Sequence, residues 1–322
     1  MRVLILGAGA IGSVFGGFLA KAGHAVTLVG RAPHMDQIRE RGLLITGIWG
    51  EHQVSIGRCL TSPEALAQAR ESFELVLITV KSYDTAAAAA AVQPLLTGET
   101  LVISLQNGLG NAETIAEAVG WRHTVGGMII FGVEQHRPGR VTVTVQADKV
   151  RIGHWMSAVD PERLDALASL LTAAGIETVH SPDIRRYIWN KVFYNCALNP
   201  LATVLGSTYG FLLTTEPTRD IMQRVIDEAY QVAWACGAEL FHRLPEDYLE
   251  HLYTDLIPPT AAHHPSMLQD IQKGKRTEID ALNGAIVRLG RAHQIACRTN
   301  QTLVDLIRVL ELTRGERRPT VS

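Results

Sequence analysis

The sequence predicts an α/β fold in two parts: a doubly wound parallel sheet followed by an all-helical C-terminal domain. Three observations carry the prediction. Short, continuously apolar runs alternate with helical segments through the first half, as strands covered on both faces do. A Gly-x-Gly-x-x-Gly loop stands between the first such run and the first helix. From about residue 184 strand patterns stop and long helical periodicity takes over.

In chain order, Arg2–Leu6 is a short apolar strand, and Gly7-Ala8-Gly9-Ala10-Ile11-Gly12 opens a helix running to about Ala22. Gly23-His24 turns the chain into a second strand, Ala25–Val29, and further strands are expected at 75–80 and 100–105. Between these two, Asp84-Thr85 and six alanines form a capped, strongly helix-favouring segment. Residues 141–145 and 150–152 read as a late hairpin on the same domain. Helical periodicity then covers 218–235 and 272–292, and the polar tail 314–322 is expected to fray. The boundary falls just after Val179-His180-Ser181-Pro182, giving domains of residues 1–182 and 183–322.

A chain of 322 residues suits about two domains, and 47% hydrophobic with 19% charged residues suits a globular enzyme rather than a disordered chain. A net charge of −2 gives no reason to expect nucleic acid or an anionic membrane as partner. Cys59, Cys196, Cys236 and Cys297 are scattered without a Cys-x-x-Cys pair, which argues against a disulfide framework or a metal site. With no cationic signal peptide and no membrane-length apolar run, the cytoplasm is the expected setting.

Placed directly between strand and helix, the glycine loop fits a dinucleotide. Gly7 permits the turn, Gly9 lets backbone approach a pyrophosphate, Gly12 lets helix meet strand, and amide N–H groups at that helix start are expected to hold the phosphates, so Gly7, Ala8, Gly9, Ala10, Ile11 and Gly12 are the cofactor-binding candidates. The second strand ends Leu28-Val29-Gly30-Arg31, with no acid for the ribose hydroxyls of NAD. A guanidinium there suits a 2′-phosphate, and Lys81 stands at the same strand edge, so NADP(H) is favoured. Gln106-Asn107-Gly108 follows another strand at that edge; it is either an Asn-Gly turn or an amide placed near the nicotinamide.

Lys191, Asn195 and Asn199 recur every fourth residue in an apolar segment, so one ammonium and two amides share a stripe of one helix. A half-buried Lys with no acid in reach on its own helix is costly unless it has a task. The last constellation is Ser266-Met-Leu-Gln-Asp270 with Thr277-Glu278-Ile-Asp280, before an apolar helix. By itself it reads equally as a site or as an N-capping Ser and acids complementing a helix dipole.

Together these pieces resemble the ketopantoate reductase (2-dehydropantoate 2-reductase) family over nearly the whole chain. The glycine loop is generic to nucleotide-binding folds, whereas the Lys–Asn–Asn stripe and the 266–280 segment are far more specific. The resemblance implies a Rossmann-type domain, an all-helical domain and NADPH-dependent reduction of a small 2-oxo acid, most simply ketopantoate to pantoate in pantothenate and coenzyme A synthesis. In that comparison Lys191 resembles the general acid, and Asn107 resembles the residue orienting it and the nicotinamide. Glu278 resembles the acid near Lys191 and the cofactor ribose, and Arg31 and Lys81 match positions gripping the adenosine phosphate. Asn195 and Asn199 resemble ligands of the substrate hydroxyl, and Ser266 the donor to its carboxylate.

The chain departs from the family pattern at Pro265, where Ser is common, and at His263, where some members place a substrate-binding Asn. His263 either enters the substrate site or forms a solvated pair with His264, so the identity of the 2-oxo acid stays open. A paralogous reductase of another 2-oxo or hydroxy acid and an NADPH-binding sensor without turnover are the competing readings. An intact Lys191 argues against the sensor, which has no use for a proton donor. The sequence is compatible with a homodimer.

Overall fold

A computed structural model describes residues 1–67 and 71–313; the expected tail lies outside them. The chain divides into two compact units, one of Met1–Gln106 with Gly110–Ile184, the other of Asn107–Leu109 with the residues from Arg185 onward.

The first unit holds twelve strands among the described residues. They are β1 (Arg2–Leu6), β2 (Ala25–Val29), β3 (Leu43–Gly47), β4 (His52–Val54), β5 (Arg58–Leu60), β6 (Phe73–Ile78), β7 (Leu96–Ser104), β8 (Thr124–Met128), β9 (Phe131–Arg137), β10 (Arg140–Gln146), β11 (Val150–His154) and β12 (Thr178–His180). Its helices are α1 (Ala10–Lys21), α2 (Ala32–Arg41), α3 (Glu64–Ala67), α4 (Thr85–Val92), α5 (Asn111–Val119) and α6 (Pro161–Ala173). Eight strands form one sheet in the order β12-β11-β8-β7-β6-β1-β2-β5. Every neighbouring pair is parallel except β8 with β11.

Burial on both faces explains why these strands read as continuous apolar runs. Val3 and Ile5 join Leu75, Leu77 and Ile103 in one core, while Leu4 and Leu6 join Val76, Ile78 and Val102 in the core on the other face. From β1 the pairing runs to β2 on one side and β6 on the other. This reversal of strand order puts the glycine loop at the topological switch point, where such sheets bind ligands.

The expected late hairpin is corrected. β10 pairs antiparallel with β9 through the Pro138-Gly139 turn and parallel with β3, in a separate four-stranded sheet ordered β4-β3-β10-β9. β11 instead joins the large sheet between β8 and β12. Local spacing suggested the hairpin, but the tight turn lies before β10, not after it. The Asp84 cap is also only positional: its side chain makes no capping bond to α4.

The second unit is helical: α7 (Ile184–Leu205), α8 (Glu216–Ala235), α9 (Pro245–His251), α10 (Ser266–Gln272), α11 (Asn283–Ala292) and α12 (Arg298–Thr313), with short 3-10 and π turns between. Phe193 of α7 stacks on Tyr230 of α8 at 4.6 Å between ring centroids and meets Tyr248 of α9 edge-on at 5.4 Å. Residues 272–292, expected as one helical run, are broken: α10 ends at Gln272, and a 3-10 turn, Ile279–Ala281, precedes α11. Leu282, at φ −100° and ψ −107°, cannot continue that turn into the helix. No helix among the described residues is long and apolar enough to cross a membrane.

Candidate active site

In the sheet unit, Gly7, Arg31, Lys81 and Gln106 all follow the carboxyl ends of parallel strands, β1, β2, β6 and β7 respectively. Gly7 has φ +98°, and a Cβ there would stand 2.4 Å from the Val80 nitrogen, so only glycine fits. At Gly12 a Cβ would meet the Gly7 carbonyl at 2.5 Å, which holds the start of α1 against its strand. Gly9 is different: a Cβ there would find its nearest neighbour 3.9 Å away, leaving open space over the backbone. No side chain caps α1, so its first N–H groups, at Ala10 and Ile11, are left for an anion.

The loop is pinned from both sides. Gly7 and Ala8 donate to the Val29 carbonyl at 3.0 and 2.8 Å, and the Thr79 hydroxyl donates to the Gly7 carbonyl at 2.8 Å. These features fit a dinucleotide pyrophosphate. Arg31 is exposed at the cap position of α2, and Lys81 is half-buried before a 3-10 turn at Ser82–Asp84. Gln106 is structural: its amide donates to the Val80 carbonyl at 2.9 Å and to the Thr85 hydroxyl at 2.7 Å.

In the helical unit, Lys191, Asn195 and Asn199 lie on successive turns of α7, with Val192, Phe193, Cys196, Ala197 and Leu198 buried in the helical core. Lys191 donates to Asn107 Oδ1 at 2.8 Å. Burial lowers its pKa to about 8, and the Glu278 carboxylate opposes this by favouring the charged form. Asn107 arrives on a three-residue excursion between β7 and α5. The Leu109 N–H donates to the Ala281 carbonyl at 2.9 Å, and Gly108, at φ +91°, lies so close to that carbonyl that a side chain would clash. The excursion therefore docks on the 3-10 turn that directly follows Glu278, and one junction places both neighbours of Lys191.

A pocket in this unit is lined by Asn107, Asn199, Ser266, Met267, Asp270, Glu278 and Leu282. Ser266 is the first residue of α10 and Pro265 occupies the cap position, so the hydroxyl is not spent on a cap. Asp270, one turn later on the same face, was named in the 266–280 constellation but given no role, although its i,i+4 spacing from Ser266 was the available signal. Asp280 plays another part. Burial works against its charge, yet Arg276 and Arg308 hold its carboxyl below the usual range through bonds of 2.8 and 2.7 Å. Asn195 is buried on the α7 stripe but is not among the pocket-lining residues. His263 is exposed and also outside the lining, with its ring 5.5 Å from that of Tyr209.

Sequence reasoning also missed how α7 tolerates Pro200. Proline has no N–H for the carbonyl four residues back, at Cys196, on the turn carrying Asn195 and Asn199. Asn283 supplies the missing donor: its amide nitrogen is 3.0 Å from the Cys196 carbonyl and 2.9 Å from Asn300 Oδ1. Asn300 in turn donates to the Val225 carbonyl at 3.2 Å and to Glu228 at 2.7 Å. Asn283 and Asn300 are fully buried. We expect Asn283→Ala to cost about 2–4 kcal/mol of stability, because two buried acceptors lose their donor. Adding Pro200→Ala restores an N–H for Cys196 and should recover part of the loss in chemical denaturation; additive losses would contradict this role.

Comparison with known proteins identifies the family. Two family models match: Ketopantoate reductase PanE/ApbA over residues 3–157, and Ketopantoate reductase PanE/ApbA C terminal over residues 183–311. A 2-dehydropantoate 2-reductase of Aquifex aeolicus is 40% identical over 313 residues, covering 97% of each chain. One from Halobacterium salinarum is 34% identical, covering 97% of this chain and 99% of its own. The crystal structure of a PanE/ApbA family ketopantoate reductase from Ralstonia eutropha superposes with a TM-score of 0.86 at 32% identity, over 98% of this chain and 100% of that one. D-mandelate dehydrogenase, solved with NADH and anilino(oxo)acetate, also reaches 0.86, at 26% identity over 98% and 100%. The matches run along nearly the whole length, and the chain belongs to the ketopantoate reductase family.

Proposed function

We propose that this protein is an NADPH-dependent reductase that converts ketopantoate (2-dehydropantoate) to pantoate, for pantothenate and coenzyme A synthesis. The observation that carries the reading is the Lys191 ammonium, partly desolvated and held by Asn107 beside a pocket lined by Asn199, Ser266 and Glu278. Residues 1–182 carry the cofactor loop, and residues 183–322 carry the proton donor and the substrate ligands. Four free thiols suit a reducing compartment such as the cytoplasm.

The nicotinamide, when bound, supplies the hydride. The Gly7–Gly12 loop holds the pyrophosphate on the N–H groups that open α1, and Arg31 with Lys81 answers the 2′-phosphate side. Lys191 meets the negative charge that develops on the substrate oxygen and gives that oxygen a proton from Nζ. A pKa near 8 leaves Lys191 largely protonated at neutral pH while making it a far better acid than an ordinary lysine. Asn107 fixes the direction of one Nζ–H bond, and Glu278 keeps the group charged until transfer. Asn195, Asn199 and Ser266 serve the substrate hydroxyl and carboxylate.

A second reading has the likeness to D-mandelate dehydrogenase behind it: a dehydrogenase of another 2-hydroxy or 2-oxo acid on the same scaffold. NADPH oxidation against a panel of 2-oxo acids separates the two. Ketopantoate should lead; reduction of bulkier or hydroxyl-free acids with no turnover of ketopantoate would favour the second reading.

Replacing Lys191 by Ala should lower kcat by about 10²–10⁴ while NADPH still binds. Because the reduction needs the protonated form, kcat/KM should fall as pH rises through about 8. Glu278→Gln removes the charge that holds the pKa up, so the falling limb should move to lower pH; an unmoved limb would contradict the pairing.

The cofactor preference tests separately. Arg31→Ala should weaken NADPH by about tenfold to a hundredfold and leave NADH nearly unchanged, since only NADPH carries the 2′-phosphate. Equal wild-type affinity for the two would refute the preference.

A further inference from the structure

We infer that Tyr209 is a positioning residue that fixes which end of the Asn199 amide the pocket meets, and thereby sets selectivity for a hydroxylated 2-oxo acid. The selectivity half of this inference rests on the function proposed above; the geometric half stands on the structure. Tyr209 is 4% exposed, and its hydroxyl lies 2.6 Å from Asn199 Oδ1. Burial, reinforced by Tyr194, raises the Tyr209 pKa, so the hydroxyl keeps its proton and donates. An asparagine amide offers acceptors at oxygen and donors at nitrogen. With Oδ1 engaged by Tyr209, Nδ2 is the end left for the pocket that Asn199 lines. Asn199 is thus set to donate to a ligand oxygen; a substrate hydroxyl can accept that bond and give its own proton elsewhere.

The ring that carries the hydroxyl is itself braced. Tyr194 meets it edge-on, with centroids 5.8 Å apart and planes at 86°, and the Tyr194 hydroxyl is 2.9 Å from that of Thr260. Two backbone bonds clip the segment down: Tyr209 N–H to the His263 carbonyl at 3.1 Å, and Gly210 N–H to the Ala261 carbonyl at 2.9 Å. The exposed His263 ring also meets Tyr209, with centroids 5.5 Å apart and planes tilted by 46°. His263 therefore bears on substrate choice by way of Tyr209 and Asn199. Remove only the Tyr209 hydroxyl and the amide can turn over, presenting an acceptor where the pocket had a donor.

Tyr209→Phe makes that change while keeping the ring. The KM for ketopantoate should rise about fivefold with a much smaller change in kcat, and ketoisovalerate, which lacks the hydroxyl, should be affected far less. The double variant with Asn199→Ala should be no worse than Asn199→Ala alone. Equal losses on both acids, or additive losses in the double variant, overturn the inference. A second readout needs no substrate: the side-chain amide resonances of Asn199, identified by their disappearance in Asn199→Ala, must shift in Tyr209→Phe. Unshifted resonances overturn the inference whatever the kinetics. Should the wild type reduce neither acid, the proposed function falls while the amide spectrum still decides the role of Tyr209.

Discussion

A lysine ammonium withdrawn from water is the constraint on which the helical unit's architecture turns. Lys191 sits on a helix whose other faces are core, so its charge must be answered from elsewhere in the unit. The answer is a neutral acceptor, Asn107, at 2.8 Å, and a carboxylate, Glu278, acting through its field. Full neutralisation by a close ion pair would hold the proton too tightly for an acid; no answer at all would drive it off. A pKa near 8 lies between these limits, which is where a donor working at neutral pH belongs.

Much of the remaining structure serves to keep that arrangement in place. The chain leaves the sheet after β7, lends Asn107–Leu109 to the helical unit and returns at α5. A buried leucine, Leu109, and the bond to the Ala281 carbonyl anchor the excursion. Further along α7, the Asn283–Asn300–Glu228 network takes up the carbonyl that Pro200 leaves without its helical partner. Asn283 and Asn300 are fully buried and tied in sequence to Cys196, Val225 and Glu228, which fixes the turn carrying Asn195 and Asn199.

What could be read from the sequence follows from which contacts are local. β1, β2 and β6 were legible because burial on both faces writes itself as an unbroken apolar run. The α7 stripe was legible because i,i+4 spacing needs no tertiary knowledge. The four-stranded sheet was not, since β3 pairs with β10 across 96 residues of sequence, as in Leu44 with Arg140, and local spacing pointed to a hairpin instead. Ser266 was ambiguous for a subtler reason: whether it caps α10 or faces a pocket depends on a one-residue register that Pro265 decides. Tyr209 and Asn283 carried no usable signal, because a buried tyrosine and a buried asparagine acquire their roles only from partners at Asn199 and Cys196.

The most direct test is the titration of Lys191 itself, followed by the side-chain carbon and nitrogen resonances of selectively labelled protein, free of ligand. The arrangement predicts a midpoint near 8, the balance of burial against the Glu278 charge. A midpoint at or above the ordinary lysine value of 10.5 would show that the ammonium is well solvated or tightly paired, and would contradict its role as a poised proton donor.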